Sequence, residues 1–565
     1  MPFKGGKPLK YKDKRTLTKI EDFRQLLLST AERFGDKALY ASPDPKHDFR
    51  YSYNDLKNNS LWLAAAFLHR YPNGARVAVI GEANPAYMTT FYAVTIAGGV
   101  IIPIDKELSP DAIAGFLDRA RADGIVYMPS MNGTVEPLCG TLKHTELFVP
   151  VEAGEGSPQD AVLYSALVSE GKELFESGER EVLTRRLDMQ SMCTLLFTSG
   201  TTGTSKGVML SMNNIVSCAN SCCESVIYDE NNTFLSVLPM NHVYELVTEN
   251  IALVNLGATT YLNNSLKYVS RNIKRVAPDS LILVPLFLET MHKSIFRSIE
   301  KRGMTAKVNA ARKLSRALLK CGIDIRRKLF AEIINELGGN LRYIICGGAA
   351  LRADIVRDFE DFGIMICEGY GITECAPLLA VNRPFECVPG SAGRAVSCCE
   401  VRIDEPDGDG IGEIVAKGEN VMLGYYEDSE ATAKVFTDDG WFKTGDIGYI
   451  DTDGNIFITG RKKNLIILSN GKNIYPEEIE EHLLTSDYIC ECVVIERSGE
   501  ITALIYPDKE KTDGMSDDDI YKLIKEEVDR VSRDLPVFKQ VHSIEIRKTE
   551  FEKTTTKKIK RYILK

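Results

Sequence analysis

The stretch with the clearest chemical character is LLFTSGTTGTSKGVMLS, which spans Leu195 to Ser211. An apolar segment there runs into six consecutive small or hydroxyl-bearing residues: Thr198, Ser199, Gly200, Thr201, Thr202 and Gly203. Small residues let backbone N–H groups converge on an anion, hydroxyl groups add donors, and Lys206 adds a positive charge. The spacing differs from GxxxxGK[ST], so the fold that carries that loop is not implied. We therefore predict a loop that holds a polyphosphate.

A second stretch with chemical potential is the basic end of the chain, FEKTTTKKIKRYILK, on a protein whose formal net charge is -10. Such a run is usually a solvated terminus or an electrostatic patch. One of its lysines could instead stabilise negative charge in a reaction. The tail by itself does not decide between these two interpretations.

Short Val/Ile-rich runs alternate with longer helix-like segments over the first two thirds of the chain. Examples are RVAVIG at 76–81, GIVYM at 124–128, SLILVP at 280–285 and RYIICGG at 342–348. Apolar runs separated by helical lengths predict strands of a mostly parallel sheet that is covered by helices. These strands and the loops at their ends are the elements expected to position the phosphate loop.

The pattern changes after about residue 386. VRIDEPDGDGIGEIVAKG and YIDTDGNIFITG each place Asp-Gly between two strand-like runs, which predicts hairpins. The charged stretch GRKKN, from Gly460, then precedes a compact mixed segment. We predict an α/β protein with a large N-terminal domain at 1–460, of mostly parallel sheets covered by helices plus a β-rich subdomain at about 387–460. A small α+β C-terminal domain follows at 461–565.

Composition excludes several classes of protein. The chain is 44% hydrophobic and 26% charged, as globular proteins are, and its 565 residues favour two or more domains. The acidic balance argues against nucleic acid as the main partner. The 14 cysteines have no paired CxxC spacing, which favours reduced thiols over a disulfide framework or a zinc site.

No targeting or membrane-spanning segment is predicted. MPFKGGKPLKYKDKR lacks the apolar segment that follows the charges of a secretory signal. The apolar stretch 77–104 contains Glu82, Asn84 and Pro85, so it predicts a strand, a turn and a buried helix. We expect a cytoplasmic protein whose membrane contact, through its basic ends, is at most peripheral.

Further motifs follow the phosphate loop in order. They are LPMNHVYE at 238–245, EGYGITEC at 368–375, WFKTGDIG at 441–448, GRKKNLI at 460–466, SNGKNIYPEEIE at 469–480 and KTTTKKIKR at 553–561. Together with TSGTTGTSKGV they make the chain resemble the adenylate-forming (AMP-binding) superfamily of acyl-CoA synthetases, luciferases and peptide-synthetase adenylation domains. Because the motifs are collinear over nearly the whole chain, the resemblance is specific.

The resemblance implies an ATP site in which the six residues of the loop and Lys206 hold phosphates. Glu374 would help to hold Mg²⁺, for which a carboxylate is a suitable hard-oxygen ligand. Thr373 would bond a phosphate oxygen. His242 would lie between the nucleotide and the acyl group and would position them, since a carboxylate substrate needs no deprotonation at neutral pH.

The nucleoside would be held by residues further along the chain. Tyr370, followed by Gly371, would stack on adenine, and a flat backbone edge near the base would come from Gly347, Gly348 and Ala349. Asp446 would accept both ribose hydroxyls, and Arg461 would reach the same sugar. Each has an ordinary alternative, such as a buried tyrosine or a surface arginine, but their order along the chain favours the functional interpretation.

The tail acquires a role from the same resemblance, which places Lys558 at the catalytic position. Two departures from the family pattern PKTxxGKIxR stand beside it: Glu552 replaces proline and Lys557 replaces glycine. Lys557 removes backbone freedom just before Lys558 and is a rival cation.

The family uses a mobile C-terminal domain that rotates between the two half-reactions, and Lys463 matches its hinge position. In the second orientation SNGKNIYP, with Gly471 and Lys472, would face the nucleotide and meet the pantetheine of coenzyme A.

The substrate implied is a fatty acid. LPMNHVYE has no aspartate to pair with a substrate amine, which disfavours an amino acid. The apolar LVTENIALVNLG and the insert before LRYIICGGAAL are most similar to long-chain fatty acyl-CoA synthetases. Three hypotheses remain: a fatty acid–CoA ligase, an acyl-AMP ligase that loads an acyl carrier protein, and an inactive acyl-nucleotide sensor. Lys558, Glu374 and Asp446 argue against the third.

Overall fold

The computed structural model describes residues 17–154, 157, 161–198, 205–263, 265–467, 473–497, 499–533, 535–553 and 559–564. These residues form two compact units. The first comprises 17–198, 205–400 and 417–434, and the second comprises 401–416 and 435–564. The predicted domain boundary between residues 460 and 461 lies inside the second unit and stays a prediction.

The β-strands are numbered along the chain. They are β1 (Ala38–Ala41), β2 (Arg50–Ser52), β3 (Arg76–Ile80), β4 (Val100–Ile104), β5 (Gly124–Tyr127), β6 (Leu147–Pro150), β7 (Met192–Thr198), β8 (Lys206–Ser211), β9 (Thr233–Ser236), β10 (Thr259–Leu262), β11 (Ser280–Leu283), β12 (Tyr343–Gly347), β13 (Met365–Gly371), β14 (Leu378–Val381), β15 (Arg394–Ala395), β16 (Cys399–Asp404), β17 (Gly412–Gly418), β18 (Gly424–Tyr425), β19 (Phe442–Ile450), β20 (Ile456–Arg461), β21 (Ile466–Ile467), β22 (Asn473–Ile474), β23 (Ile489–Arg497), β24 (Glu500–Pro507) and β25 (Ser543–Ile546).

The α-helices are numbered in the same way. They are α1 (Phe23–Phe34), α2 (Tyr53–Arg70), α3 (Pro85–Ile96), α4 (Pro110–Ala120), α5 (Asn132–Val135), α6 (Tyr164–Ser177), α7 (Glu181–Thr184), α8 (Met212–Ser225), α9 (Val243–Val247), α10 (Leu253–Leu256), α11 (Val269–Val276), α12 (Pro285–Lys301), α13 (Thr305–Lys320), α14 (Arg326–Leu329), α15 (Ala331–Glu336), α16 (Ala353–Asp361), α17 (Ser429–Lys434), α18 (Pro476–Leu483) and α19 (Asp517–Ser532).

The first unit contains two large sheets. One has nine strands in the order β15-β14-β13-β12-β11-β9-β10-β1-β2, and its six central strands, β13 to β1, run parallel. The other has the order β18-β8-β7-β4-β3-β5-β6, with parallel pairing from β7 to β6. Antiparallel strands lie at both edges of the first sheet and at the β18 edge of the second. The predicted, mostly parallel α/β architecture is confirmed.

The run predicted to be strand, turn and buried helix has that structure. β3 ends at Ile80, and α3 begins after Asn84, whose side chain accepts a hydrogen bond from the backbone N–H of Ala86. Pro85 suits the first helical position, because a backbone N–H at that position has no partner within a helix and its absence therefore costs nothing. Every residue of α3 from Ala86 to Ile96 is buried. In the described part of the chain, no helix has the length and apolar character needed to cross a bilayer.

The second unit contains the predicted hairpins and a small mixed sheet. β16 and β17 are neighbours in a four-stranded sheet with β19 and β20, and the Asp-Gly turns lie between the strands of each pair. β23, β24 and β25 form a three-stranded sheet, against which α18 and α19 bury Ile479, Leu483, Ile524 and Val528. The α+β character predicted for the end of the chain is therefore present.

Two neighbouring carboxyl groups on α9 and the turn after it are almost completely buried in the first unit. Glu245 in α9 and Glu249 in the π-helical turn Thr248–Ala252 are 0% and 1% exposed. The hydroxyl of Ser236 donates a hydrogen bond to Glu245 Oε1 at 2.6 Å. Burial raises the pKa of Glu245 to about 7. Burial and the neighbouring Glu245 together raise the pKa of Glu249 well above its usual range.

From this pair we predict that the free energy of unfolding falls as pH rises. A raised pKa means that the folded state binds more protons than the unfolded state above the ordinary glutamate pKa, so the free energy of unfolding should fall between about pH 5 and pH 8. Glu249→Gln removes one titrating group and should raise the unfolding free energy at the upper end by about 1–3 kcal/mol. Scanning calorimetry across this range, with exposed Glu107→Gln as the control, tests it. An unchanged pH slope in Glu249→Gln would contradict it.

Candidate functional site

The ends of the predicted phosphate loop are fixed by an antiparallel strand pair. β7 and β8 pair from Met192 with Ser211 to Thr198 with Lys206. Residues 199–204, which include Ser199, Gly200, Thr201, Thr202 and Gly203, lie outside the described residues. The last described residue before them, Thr198, is thus placed directly opposite the predicted phosphate-binding Lys206.

Helix α4 holds both ends of this loop. Phe116 stacks on Phe197 with ring centroids 4.4 Å apart and an interplanar angle of 4°. Arg119 Nη1 donates a hydrogen bond to the carbonyl oxygen of Ser205 at 2.6 Å, and its guanidinium lies 5.5 Å from the centroid of Phe197. Neither α4 residue was predicted from the sequence, because no recognisable motif surrounds them.

Tyr425 brings Lys206 and Glu374 together. Its hydroxyl donates a hydrogen bond to Glu374 Oε1 at 2.9 Å, and Lys206 Nζ lies 4.3 Å from the centroid of its ring. β18 pairs with β8, with Tyr425 opposite Val208, and this register accounts for its position. Burial, followed by the charge of Glu374, raises the pKa of Tyr425, so the hydroxyl keeps its proton.

Sequence reasoning missed Tyr425. The sequence feature that could have indicated this tyrosine is the aromatic pair in MLGYYED, which lies between the motifs EGYGITEC and WFKTGDIG. Thr373 and Glu374 belong to the short 3-10 turn Thr373–Cys375, and the carbonyl oxygen of Glu374 accepts a hydrogen bond from the N–H of Met422 at 2.8 Å. The turn is therefore tied to the strand segment that carries Tyr425.

Four residues predicted for the nucleoside line one apolar cavity of about 80 Å³: Gly347, Gly348, Tyr370 and Gly371. Gly348 has a φ of 90°, and a Cβ on Gly371 would lie 1.9 Å from the carbonyl oxygen of Pro377, so both positions require glycine. Ala349 follows Gly348 and is exposed, and it does not line the cavity.

Helices α8, α9 and α10 and the π-helical turn form part of the remaining wall of this cavity. They include Cys222, Tyr244, Thr248, Leu253 and Leu256. His242 is the N-terminal cap residue of α9 and is half-buried. Two residues later, Tyr244 of the same helix lines the cavity. The cavity is suited to a flat or aliphatic apolar group.

The two residues predicted for the ribose are adjacent in the second unit. Asp446 on β19 pairs in register with Arg461 on β20, and Arg461 Nε lies 2.7 Å from Asp446 Oδ1. Asp446 is 3% exposed, and its N–H donates a hydrogen bond to the hydroxyl of Thr444. A buried carboxylate with a charged partner keeps its orientation.

The predicted hinge residue Lys463 lies in a 3-10 turn, Lys462–Asn464, at the end of β20. Its neighbours are fixed: Lys462 Nζ lies 2.6 Å from Glu413 Oε2, and Asn464 donates a hydrogen bond to Glu477 Oε1 at 2.6 Å. Lys463 thus lies in a short turn between β20 and β21, and its role as a hinge stays a prediction. Gly471 and Lys472 lie outside the described residues.

The tail segments on either side of the predicted catalytic lysine are anchored. Lys553 and Ile559 form an antiparallel bridge, Lys553 pairs with Glu491, and Arg561 pairs with the buried Glu480. The described residues on either side, Lys553 and Arg561, are therefore attached to β23 and α18, whereas Lys558 itself lies outside the described residues.

Comparison with known families finds two matches in order along the chain. The AMP-binding enzyme family matches residues 27–426, and the AMP-binding enzyme C-terminal domain matches residues 463–564. The first match alone covers more than half of the chain. Its range contains the phosphate loop, His242, the cavity and Glu374.

Two curated relatives span most of the chain. One is a chloroplastic long-chain-fatty-acid–[acyl-carrier-protein] ligase of Arabidopsis thaliana, 26% identical over 557 residues, covering 86% of this chain and 76% of the relative. The other is long-chain-fatty-acid–CoA ligase 6 of Mus musculus, 25% identical over 517 residues, covering 86% and 72%.

The fold matches that of solved ligases. An anthranilate CoA ligase in complex with anthranoyl-AMP aligns with a TM-score of 0.74 at 19% identity, covering 97% of each chain. ATP-bound MatB from Rhodopseudomonas palustris aligns with a TM-score of 0.72 at 22% identity, covering 96% of this chain and 98% of that one.

The α4 contacts predict a selective effect on polyphosphate binding. Arg119→Gln removes a charge-assisted hydrogen bond to the end of the loop, which is typically worth about 1.5–3 kcal/mol. ATP affinity should fall roughly 10-fold or more, whereas AMP, which lacks the outer phosphates, should be affected less. Titration calorimetry with both nucleotides measures the difference.

Arg121→Gln is the matched control. It changes the same residue type at the end of the same helix, and its pair with Glu427 is exposed and so contributes little. Equal losses for ATP and AMP in Arg119→Gln, or an equal effect of the two variants, would show that α4 does not act through the phosphate loop.

Proposed function

Because this chain belongs to the AMP-binding enzyme family, we propose that it activates a fatty acid with ATP, giving acyl-AMP and pyrophosphate, and then transfers the acyl group to coenzyme A. The observation that carries the proposal is the contact of Lys206 and Glu374 with the same tyrosine, Tyr425. The turn with Glu374 lies between Gly371 and Pro377, which both line the apolar cavity. A cationic phosphate site next to an apolar cavity suits a nucleotide, with the phosphates at the first and the adenine base at the second.

The proposed first step brings negative charges together, since a carboxylate oxygen attacks the α-phosphorus and pyrophosphate leaves. Preorganised cations and N–H donors lower the barrier to such a step. We assign this work to the loop 198–203 with Lys206, to Thr373 and to Lys558. Tyr370 and the glycines of the cavity are assigned to adenine, and Asp446 with Arg461 to the ribose.

Mg²⁺ fits the residues present. Glu374 offers a hard-oxygen ligand whose orientation is fixed by Tyr425. Among the described residues no group of three or more metal-ligating side chains occurs. Glu374 would therefore hold the ion together with substrate phosphates and water, as is usual for Mg²⁺. The ion would supply positive charge that offsets charge on the phosphates.

The names of both relatives support a long-chain fatty acid, and they differ in the acceptor: coenzyme A for the mouse ligase and an acyl carrier protein for the plant ligase. Free coenzyme A is the acceptor that we propose. The carrier protein is the alternative, and product analysis with each acceptor distinguishes them. For the second step we propose that the domain 461–565 rotates about Lys463, so that Gly471 and Lys472 contact pantetheine.

The first test of this proposed function concerns the reaction itself. ATP should give AMP and pyrophosphate only when a fatty acid is present, measured by ATP–pyrophosphate exchange over acids from acetate to stearate, with aromatic and amino acids included. Glu374→Ala should lose roughly 100-fold or more in exchange rate through Mg²⁺. Asp446→Ala should chiefly weaken ATP binding, and exposed Asp438→Ala is the control. Production of ADP and phosphate, or wild-type ATP affinity in folded Asp446→Ala, would contradict these assignments.

The second test of this proposed function uses mutations that affect the two half-reactions separately. Lys558→Ala should slow adenylate formation by roughly 100- to 1,000-fold, the usual loss when one preorganised donor is removed. It should still convert pre-formed acyl-AMP and coenzyme A to product. Lys463→Pro fixes the hinge φ, so it should form acyl-AMP at the normal rate but transfer the acyl group to coenzyme A slowly. Single-turnover assays of each half-reaction measure both effects.

Lys557→Ala is the control for the alignment of the tail. Loss of adenylation in Lys557→Ala, with normal adenylation in Lys558→Ala, would place the catalytic lysine one position earlier. Normal first half-reactions in both variants would remove the tail from the proposed site.

A further inference from the structure

We propose that helix α13 and the segment that follows it form a surface that binds bilayers containing anionic lipid. This inference goes beyond the proposed function and does not depend on it. The first observation is charge: between residues 301 and 328 the chain has ten lysines and arginines and one aspartate, although its net charge is -10. A local reversal of sign of this size attracts an anionic partner.

One face of α13 packs against its own unit. Of its 16 residues only Val308 and Ser315 are buried, and they lie on one stripe with Arg312. Val308 belongs to a small core cluster with Ile299, Phe330 and Phe362. This contact fixes which face of the helix points to the protein.

The arginines on α13 are used for attachment. Arg312 Nε lies 2.7 Å from Asp361 Oδ2, and Arg312 also pairs with Asp358, both on α16. Arg316 Nε donates to Asp361 Oδ1 at 2.6 Å. Paired arginines of this kind hold the helix in position on α16, and they leave the lysines to meet a partner.

The opposite face of the helix is exposed and apolar. Ala310, Leu314, Ala317 and Cys321 recur at the spacing of a single helical stripe, and all four are exposed. Leu314 is 54% exposed, and Ile323, just after the helix, is 52% exposed. Large aliphatic side chains in such positions favour burial in an apolar phase.

Lysines flank this stripe. Lys307 and Lys313 are exposed and lie on opposite sides of the mean direction of the stripe, with Lys307 two turns before Leu314. Among the described residues no carboxylate is within ion-pair distance of either lysine. Aliphatic side chains at the centre with lysines at the edges are the arrangement of an interfacial helix. The apolar residues enter the acyl boundary, while the ammonium groups reach the headgroups. A nucleic acid or an acidic protein surface would leave the aliphatic centre less well buried.

Co-sedimentation tests the proposal. Wild-type protein should pellet with vesicles of phosphatidylcholine plus phosphatidylglycerol, less with phosphatidylcholine alone, and less at high salt. The double variant Lys307→Glu/Lys313→Glu should bind the anionic vesicles on the order of 100-fold more weakly. Leu314→Gln should also weaken binding, through the apolar contribution.

The matched control is Lys46→Glu/Lys143→Glu, which makes the same change in net charge at two exposed lysines elsewhere in the first unit. It should bind vesicles like the wild type. No binding by wild-type protein, or equal losses in the two double variants, would overturn the proposal. No substrate is present in this assay, so its outcome is independent of the proposed ligase activity.

Two native cysteines give a positional readout. Cys321 lies on the apolar stripe of α13 and Cys490 is in the second unit, and both are exposed. An environment-sensitive fluorophore on Cys321, in a Cys490→Ser background, should shift to the blue when anionic vesicles are added. The same label on Cys490, in a Cys321→Ser background, should not. A shift at Cys490 alone would overturn the proposal.

The alternative occupant, an acidic carrier protein, gives a different result. It predicts that Lys307→Glu/Lys313→Glu slows acyl transfer to a carrier protein while vesicles never bind wild-type protein. That outcome would assign the surface to protein docking and reject the bilayer.

Discussion

The candidate site depends on the antiparallel pairing of β8 with β7 on one side and β18 on the other. The first pairing closes the phosphate loop at Thr198 and Lys206. The second places Tyr425 opposite Val208, so that its ring reaches Lys206 and its hydroxyl reaches Glu374. A shift of one residue in either register would turn these side chains to the other face of the sheet. The relative positions of the phosphate-binding cation and the proposed metal ligand are therefore set by backbone hydrogen bonds.

Tyr425 also solves an electrostatic problem. A lysine and a glutamate that met directly would neutralise each other, and neither would then be fully available to a polyphosphate or to Mg²⁺. A neutral phenol between them presents its ring to the cation and its hydroxyl to the carboxylate. Because burial raises the pKa of the phenol, it keeps this role throughout the physiological range. The arginines of α13 show the opposite arrangement, since their direct ion pairs with α16 hold two helices together.

Much of the fold was predictable because its signals are local. Apolar runs predicted the parallel strands, Asp-Gly predicted the hairpins, and the polar residues near Pro85 distinguished α3 from a membrane span. The motifs also identified Gly347, Gly348, Tyr370 and Gly371 before the structure placed them around one cavity. Arg119 has no motif around it, and the aromatic pair that marks Tyr425 does not reveal its partners, since the contacts of both residues join segments far apart in the chain. Ala349, predicted with its neighbours, is exposed and does not line the cavity.

The anchoring of the tail has an entropic consequence. The bridge between Lys553 and Ile559, with the ion pairs of Lys553 and Arg561 on either side, holds both ends of the five-residue interval 554–558 on the sheet of the second unit. The cost of bringing those ends together is met once, when this unit folds. A ligand that contacts the flanking residues Lys553 or Ile559 finds them already ordered, so a larger share of the contact energy remains for affinity or rate.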